Sequence, residues 1–340
     1  MGKEQIMKSA RVPKISRRAF LKTSAGFVVT SGLALPGTVH AAGEKHLGTL
    51  IDLSLCDGCS DREMPACVSA CRAINKDKIP KIAHPIPVPW PKKNIEDWSG
   101  KRDVFDRLTP YNLIYVQQVE IDEEGQKKSL FVPRRCMHCD NPACASLCPS
   151  TANHKKSNGA VVINQTLCFG GAKCKDVCPW EIPQRQSGVG PYLHVLPTLL
   201  GNGVMYKCDL CNDRLLAGKQ PGCVEKCPRK AMLIGPKRDI YALAEERVKQ
   251  MNGHIYGKLE NGGTSTFYVS PVSFEQIGKA MEKKPGQPDM KPGVEGRMEA
   301  TVTELMGKMV FAAPAIGIAA GAFKWLSRRK VPLSGGENNG

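Results

Sequence analysis

Fifteen cysteines lie between Cys56 and Cys227 of this 340-residue chain, and they fall into four tight groups. The first holds Cys56, Cys59, Cys67 and Cys71, and the second Cys136, Cys139, Cys144 and Cys148. The third holds Cys168, Cys174 and Cys178, and the fourth Cys208, Cys211, Cys223 and Cys227. Ligands this close in sequence wrap a metal centre with little loss of chain entropy, so the spacing points to metal ligation. A disulfide framework suits small secreted domains, and an odd number of cysteines leaves one unpaired. Zinc is the rival metal because it also takes Cys-x-x-Cys pairs, but fifteen cysteines do not divide into sets of four. Ser60, Asp140 and Asn212 follow the Cys-x-x-Cys pairs where covalent haem attachment requires histidine.

Each group resembles the bacterial ferredoxin run C-x2-C-x2-C-x3-C-P, with a lengthened middle gap in groups one, two and four. In that run the first three cysteines loop around one iron–sulfur cubane, and the fourth ligates the cluster of the partner group. Proline follows Cys148, Cys178 and Cys227, where we expect it to begin a helix pointing away; Arg72 follows Cys71 instead. Gly171 occupies the second ligand position of group three and has no ligand atom. Ligand counting there predicts a three-iron cluster. The alternatives are a four-iron cluster capped by water or by a side chain such as Asp176, or an empty site. No nucleophile, base and acid accompany that corner, so substrate chemistry is not expected.

The two ends of the chain carry a different message. Ser16-Arg17-Arg18-Ala19-Phe20-Leu21-Lys22 resembles a twin-arginine export signal, and Val39-His40-Ala41 offers a cleavage site, so residues 1–41 read as a signal peptide. Residues 305–327 are apolar enough for a transmembrane helix, with Lys324 and Trp325 at its end. Arg328, Arg329 and Lys330 follow, which puts the tail at 328–340 in the cytoplasm and the body on the outer face.

Between the ends, 47–270 reads as the cysteine-bearing body, with a Pro- and Lys-rich loop-like insertion at 74–110. Residues 114–121 and 129–132 read as two strands around the turn at 122–125, with further short strands at 160–164 and 231–234. Residues 239–250 have helical periodicity. The prolines and glycines of 271–304 read as an extended tether. His154, Lys155 and Lys156 read as a solvated turn, while His138 and Trp180 could either pack the core or face a cluster.

Four such groups in this order resemble the four-cluster ferredoxin-like subunits of molybdopterin oxidoreductases and membrane-bound hydrogenases. Cys136-x-His138-Cys139, Lys207-Cys208-x-x-Cys211 and Pro221-Gly222-Cys223 carry that likeness. The export signal, the C-terminal anchor and the stretch from Tyr256 to Thr264 narrow it to the HybA type. The resemblance implies an α+β fold of duplicated ferredoxin-like halves, with group one exchanging its last ligand with group four, and two with three. One cluster would then take Cys56, Cys59, Cys67 and Cys227, and a second Cys208, Cys211, Cys223 and Cys71. A third would take Cys136, Cys139, Cys144 and Cys178, leaving Cys168, Cys174 and Cys148 for the last.

The implied cofactors are three [4Fe-4S] clusters and one [3Fe-4S] cluster, in an electron carrier that is not itself an enzyme. The implied partners are a periplasmic catalytic subunit or multihaem cytochrome and an integral quinone-reactive membrane subunit. The implied location is the periplasmic face of the bacterial inner membrane. A stand-alone redox enzyme and a zinc-stabilised scaffold are the other classes that the residues leave open.

The formal charge of +16 does not require nucleic acid as a partner. Seven of the basic residues crowd into the first 41 positions against Glu4 alone. Four loaded clusters with their thiolates would add roughly −8, bringing the mature body close to neutral.

Overall fold

The computed structural model describes residues 46–295, apart from 89–93, 124, 196, 199–202 and 282. Arg17 and Arg18 of the export signal, the anchor expected at 305–327 and the tail at 328–340 lie outside the described residues. Among the described residues no helix is long and apolar enough to cross a membrane.

The largest sheet has four strands and joins the two ends of the body. Strand β1 (Leu47–Asp52) lies at its centre, antiparallel to β8 (Met232–Pro236) and parallel to β10 (Thr266–Ser270); β9 (His254–Tyr256) closes the far edge. Both faces of β1 are covered. Leu50, Phe267 and Val269 meet Ile240 and Ala244, whereas Ile51, Tyr268 and Met232 turn to the main core. Ile240 and Ala244 come from the helix Lys237–Met251, which contains the 239–250 segment whose periodicity is visible in the sequence. A strand buried on both sides shows no alternation of apolar and polar residues, which is why Leu-Gly-Thr-Leu-Ile-Asp gives no strand signal.

The hairpin of β2 (Tyr115–Glu123) and β3 (Gln126–Arg134) is paired Tyr115↔Arg134 through Glu123↔Gln126. Tyr115, Val119, Ile121, Leu130 and Val132 face the core, while Gln118, Glu120 and Ser129 face water. That alternation makes the hairpin legible in the sequence. At its tip the Gly125 N–H donates to Asp122 Oδ1 at 3.0 Å, and Gly125 adopts φ +82°, a conformation that glycine reaches without strain.

Two further hairpins, β4 (Asn153–Lys155) with β5 (Val161–Ile163) and β6 (Gln184–Gln186) with β7 (Val204–Tyr206), follow groups two and three. His154 and Lys155 therefore belong to a strand, not to a solvated turn. Both are half-buried, and Lys155 Nζ donates to the carbonyl of Asp140 at 2.8 Å. The reach of that long stem to a backbone acceptor is invisible in the local sequence.

The segment expected as an extended tether packs onto the body as far as it is described. Ser273 caps a helix at Phe274–Ala280, accepting from the Gln276 N–H at 3.3 Å. Phe274, Ile277, Met281 and Met290 are buried in the core with Tyr256 and Tyr268. Arg134 Nη2, itself buried, donates to the Asp289 carbonyl at 2.7 Å. The prolines and glycines of this stretch shape a close-fitting turn, with Leu108 donating to Gly286 O at 2.7 Å. Ile277→Ala should cost about 2–5 kcal/mol by opening a cavity in that core. A lower thermal midpoint of the loaded protein reads this; an unchanged midpoint would mean the segment contributes nothing to the fold.

Candidate metal centres

The four groups share one backbone plan. The residue before the second ligand position is left-handed in each: Gly58 (φ +69°), His138 (+50°), Gly170 (+68°) and Leu210 (+59°). That turn curls each Cys-x-x-Cys segment so that its side chains converge. Group three keeps the turn, although Gly171 has replaced the cysteine.

The third ligand position of each group rides on a helix. Helix α1 (Ala66–Ile74) carries Cys67, α2 (Ala143–Ser146) carries Cys144, α3 (Lys173–Asp176) carries Cys174, and α4 (Gly222–Glu225) carries Cys223. Pro65, Pro142 and Pro221 cap the first, second and fourth of these, and each offers its carbonyl to the N–H three residues on, at 2.8–3.0 Å. In group three Ala172 takes the cap position at φ +60°. The proline two residues before the third cysteine is thus a positioning signal that the cysteine spacing alone does not reveal.

The proline after the last cysteine does not start a helix. Cys148, Cys178 and Cys227 follow the ends of α2, α3 and α4, and their carbonyls accept from Thr151, Glu181 and Lys230 at 3.1, 2.9 and 3.3 Å. Pro149, Pro179 and Pro228 are therefore second residues of β-turns, where a fixed φ is favourable. Arg72 is the exception for a physical reason: α1 runs on past Cys71 to Ile74, and proline inside it would break the helix.

The fold brings cysteines of different groups together. Cys56, Cys59, Cys67 and Cys227 line one small cavity, and Cys71, Cys208, Cys211 and Cys223 line another. Burial first, and then neighbouring sulfurs, raises the thiol pKa values, and those neighbours trace the other two sets. Cys139 feels Cys136, Cys178 and Cys144; Cys174 feels Cys168 and Cys148. Electrostatic influence also crosses between sets, and Cys223 feels Cys227. Cys67 feels Cys223, Cys208 feels Cys136, and Cys174 feels Cys144. The sets are therefore neighbours in the order Cys56, Cys208, Cys136 and Cys168.

Among the described residues no three His, Cys, Asp or Glu side chains gather around a single-ion site. Eight of the cysteines instead gather in two sets, each drawn from two groups. Burial pushes Cys56 and Cys211 up to about 11 and Cys178 and Cys208 up to about 12, so these sulfurs lose their protons only to a strong positive centre. All fifteen are free thiols. A donor set made of sulfur alone fits an iron–sulfur cluster.

Several donors aim at the sulfurs from residues that the sequence did not single out. Met205 N–H reaches Cys168 Sγ at 3.4 Å, Asn153 N–H reaches Cys148 Sγ at 3.3 Å, and Asn261 Nδ2 reaches Cys139 Sγ at 3.2 Å. Asn75 Nδ2 lies 3.5 Å from Cys71 Sγ. Trp180 is buried beside Cys178, and its indole N–H donates to Tyr256 Oη at 2.8 Å, so it fills the core and ties it to the main sheet. Lys207 is buried with its ammonium on the carbonyls of Val161 and Cys208.

Comparison with known proteins agrees with this geometry. Two matches to the 4Fe-4S dicluster domain cover residues 55–152 and 127–237. The chain therefore belongs to the 4Fe-4S dicluster family of iron–sulfur proteins and binds several 4Fe-4S clusters in duplicated ferredoxin-like domains. Within that family it is similar to the hydrogenase-2 operon protein HybA of Escherichia coli O157:H7, with 30% identity over 77% of this chain and 83% of that protein. A protein of Nitratidesulfovibrio vulgaris is 31% identical over 78% of the chain, which spans 66% of that relative's length. The iron–sulfur subunit of the nitrate-inducible formate dehydrogenase of Escherichia coli K12 is 31% identical over 66% of the chain and 68% of its own length.

Proposed function

We propose that this chain is the electron-transfer subunit of a membrane-bound respiratory oxidoreductase complex. It would pass electrons between a periplasmic redox partner and a quinone-reactive subunit in the membrane. The order of the four cysteine sets carries the reading, since each set shares a sulfur neighbour with the next. When bound, the clusters supply one-electron chemistry without bond rearrangement in the protein.

The chain's own residues hold and insulate that path. Cys56, Cys59, Cys67 and Cys227 would ligate one [4Fe-4S] cluster, and Cys208, Cys211, Cys223 and Cys71 the next. Cys136, Cys139, Cys144 and Cys178 would hold the third. Cys168, Cys174 and Cys148, with Gly171 at the open corner, would hold a [3Fe-4S] cluster. The apolar core of Ile51, Val68, Trp180 and Val224 keeps water away. The N–H donors on Cys139, Cys148 and Cys168 stabilise added negative charge and so raise potentials.

The names of the relatives support a subunit and not a stand-alone enzyme: one is an iron–sulfur subunit of formate dehydrogenase, and another is one of the polypeptides of an anaerobic dimethyl sulfoxide reductase. The partners would be a periplasmic hydrogenase, molybdopterin enzyme or multihaem cytochrome and an integral membrane subunit. Residues 1–41 would direct export, and 305–327 would anchor the body to the periplasmic face of the inner membrane.

Two measurements test this reading. Arg17→Lys with Arg18→Lys should leave the loaded protein in the cytoplasm, as fractionation would show; normal export of that variant would overturn the signal assignment. Full-length tagged protein taken from membranes should bring a redox partner with it, and reduction of that partner should bleach the cluster absorbance here. Turnover of a substrate by this protein alone would favour a stand-alone enzyme instead.

A further inference from the structure

The second and third cysteine sets meet at one sulfur. Cys208 Sγ receives the Leu210 N–H of its own loop at 3.4 Å. It also faces two donors from the neighbouring set's loop: His138 Nε2 at 3.7 Å and Arg135 Nη1 at 3.9 Å. Those two residues flank Cys136 in the chain, so the loop that would wrap one cluster also reaches across to the sulfur that would hold the next.

Both side chains are fixed in place. His138 is fully buried, and its Nδ1 accepts the Val161 N–H at 3.0 Å. That bond assigns the ring proton to Nε2, the nitrogen facing Cys208. The His138 carbonyl also accepts from Ser265 N–H at 3.0 Å, which locks the left-handed turn to the main sheet. Arg135 is 1% exposed and anchors Nη2 on Thr49 Oγ1 at 2.6 Å, aiming Nη1 toward the sulfur. Neither residue touches a carboxylate among the ion pairs of the described residues, so the guanidinium charge acts on Cys208 and its surroundings.

We propose that Arg135 and His138 are positioning residues that hold the potential of the cluster ligated by Cys208, Cys211, Cys223 and Cys71 above the value it would otherwise have. This inference rests on the proposed cluster assignment. One-electron reduction adds one negative charge to the cluster and its thiolates, and N–H donors on a ligand sulfur stabilise the reduced form more than the oxidised form. Because both donors come from the next set, a displacement of that loop would lower the potential of its neighbour. The two centres are thereby tuned as a pair.

The test is an anaerobic redox titration of full-length protein followed by EPR. His138→Asn keeps a residue that tolerates left-handed backbone, but its shorter side chain loses the reach to Cys208. Arg135→Gln removes the charge. Either variant should move one midpoint to lower potential and leave the others in place, and the shifted signal should be the one that Cys211→Ala abolishes. Unmoved midpoints in a variant that retains its iron would overturn the inference, as would an equal shift of every centre. If His138→Asn fails to load, Arg135→Gln decides alone. Unaltered protein lacking iron and sulfide would instead sink the underlying cluster assignment, which keeps the two failures distinct.

Discussion

Gly171→Cys should remove the EPR signal of an oxidised three-iron centre and add about one iron per chain, from roughly 15 to roughly 16. The loop is ready for the change. Gly170 holds the same left-handed turn as Gly58, His138 and Leu210, and Gly171 itself lies outside the left-handed region, as Cys139 does and as Cys59 and Cys211 do not. A Cβ built on Gly171 meets no atom within 4 Å, and its φ lies outside the glycine-favouring region. A cysteine there would add the sulfur of the fourth corner, with Cys168, Cys174 and Cys148 as the other three in the proposed assignment. Gly170 is different: a Cβ there would lie 2.5 Å from the Gly203 carbonyl oxygen, so Gly170→Cys should fail to fold properly. An unchanged signal in Gly171→Cys would end the three-iron assignment and leave water or Asp176 as the cap.

Cys71→Ala should damage a centre other than the one nearest to it in sequence. Cys67 and Cys71 are one helical turn apart on α1 and share a face. Yet Cys71 lines the cavity of Cys208, Cys211 and Cys223, whereas Cys67 lines that of Cys56, Cys59 and Cys227. In the proposed assignment, one rigid turn of helix would therefore space two clusters. The variant should lose or convert the centre that Cys211→Ala also alters, and leave intact the centre altered by Cys59→Ala. EPR of the three reduced variants reads the difference. A match between Cys71→Ala and Cys59→Ala would mean that the ligands are not exchanged between groups one and four.

How far the sequence spoke depends on where its signals are local. The cysteine spacing, the alternation of Tyr115–Ile121 and the periodicity of 239–250 are local patterns, and they translate directly into loops, a hairpin and a helix. Strand β1 gave no such pattern because it is covered on both faces, and its partner β10 lies far along the chain. The packing of Phe274 and Ile277 was masked by the prolines and glycines around it, which favour turns whether or not those turns dock. At the sites themselves the grouping of the cysteines was legible, but the turn role of Pro149, Pro179 and Pro228 was not, since proline suits both a helix start and a β-turn. The donors Asn75, Arg135, Asn153 and Asn261 were invisible for a simpler reason: polar residues reach sulfur through the fold, not through sequence spacing.

Iron, acid-labile sulfide and zinc measured on full-length protein prepared anaerobically, with EPR of its oxidised and reduced forms, put the central account at most direct risk. It predicts about 15 iron and 16 sulfide per chain, a three-iron signal when oxidised and interacting four-iron signals when reduced. Colourless protein carrying zinc and no labile sulfide would contradict it.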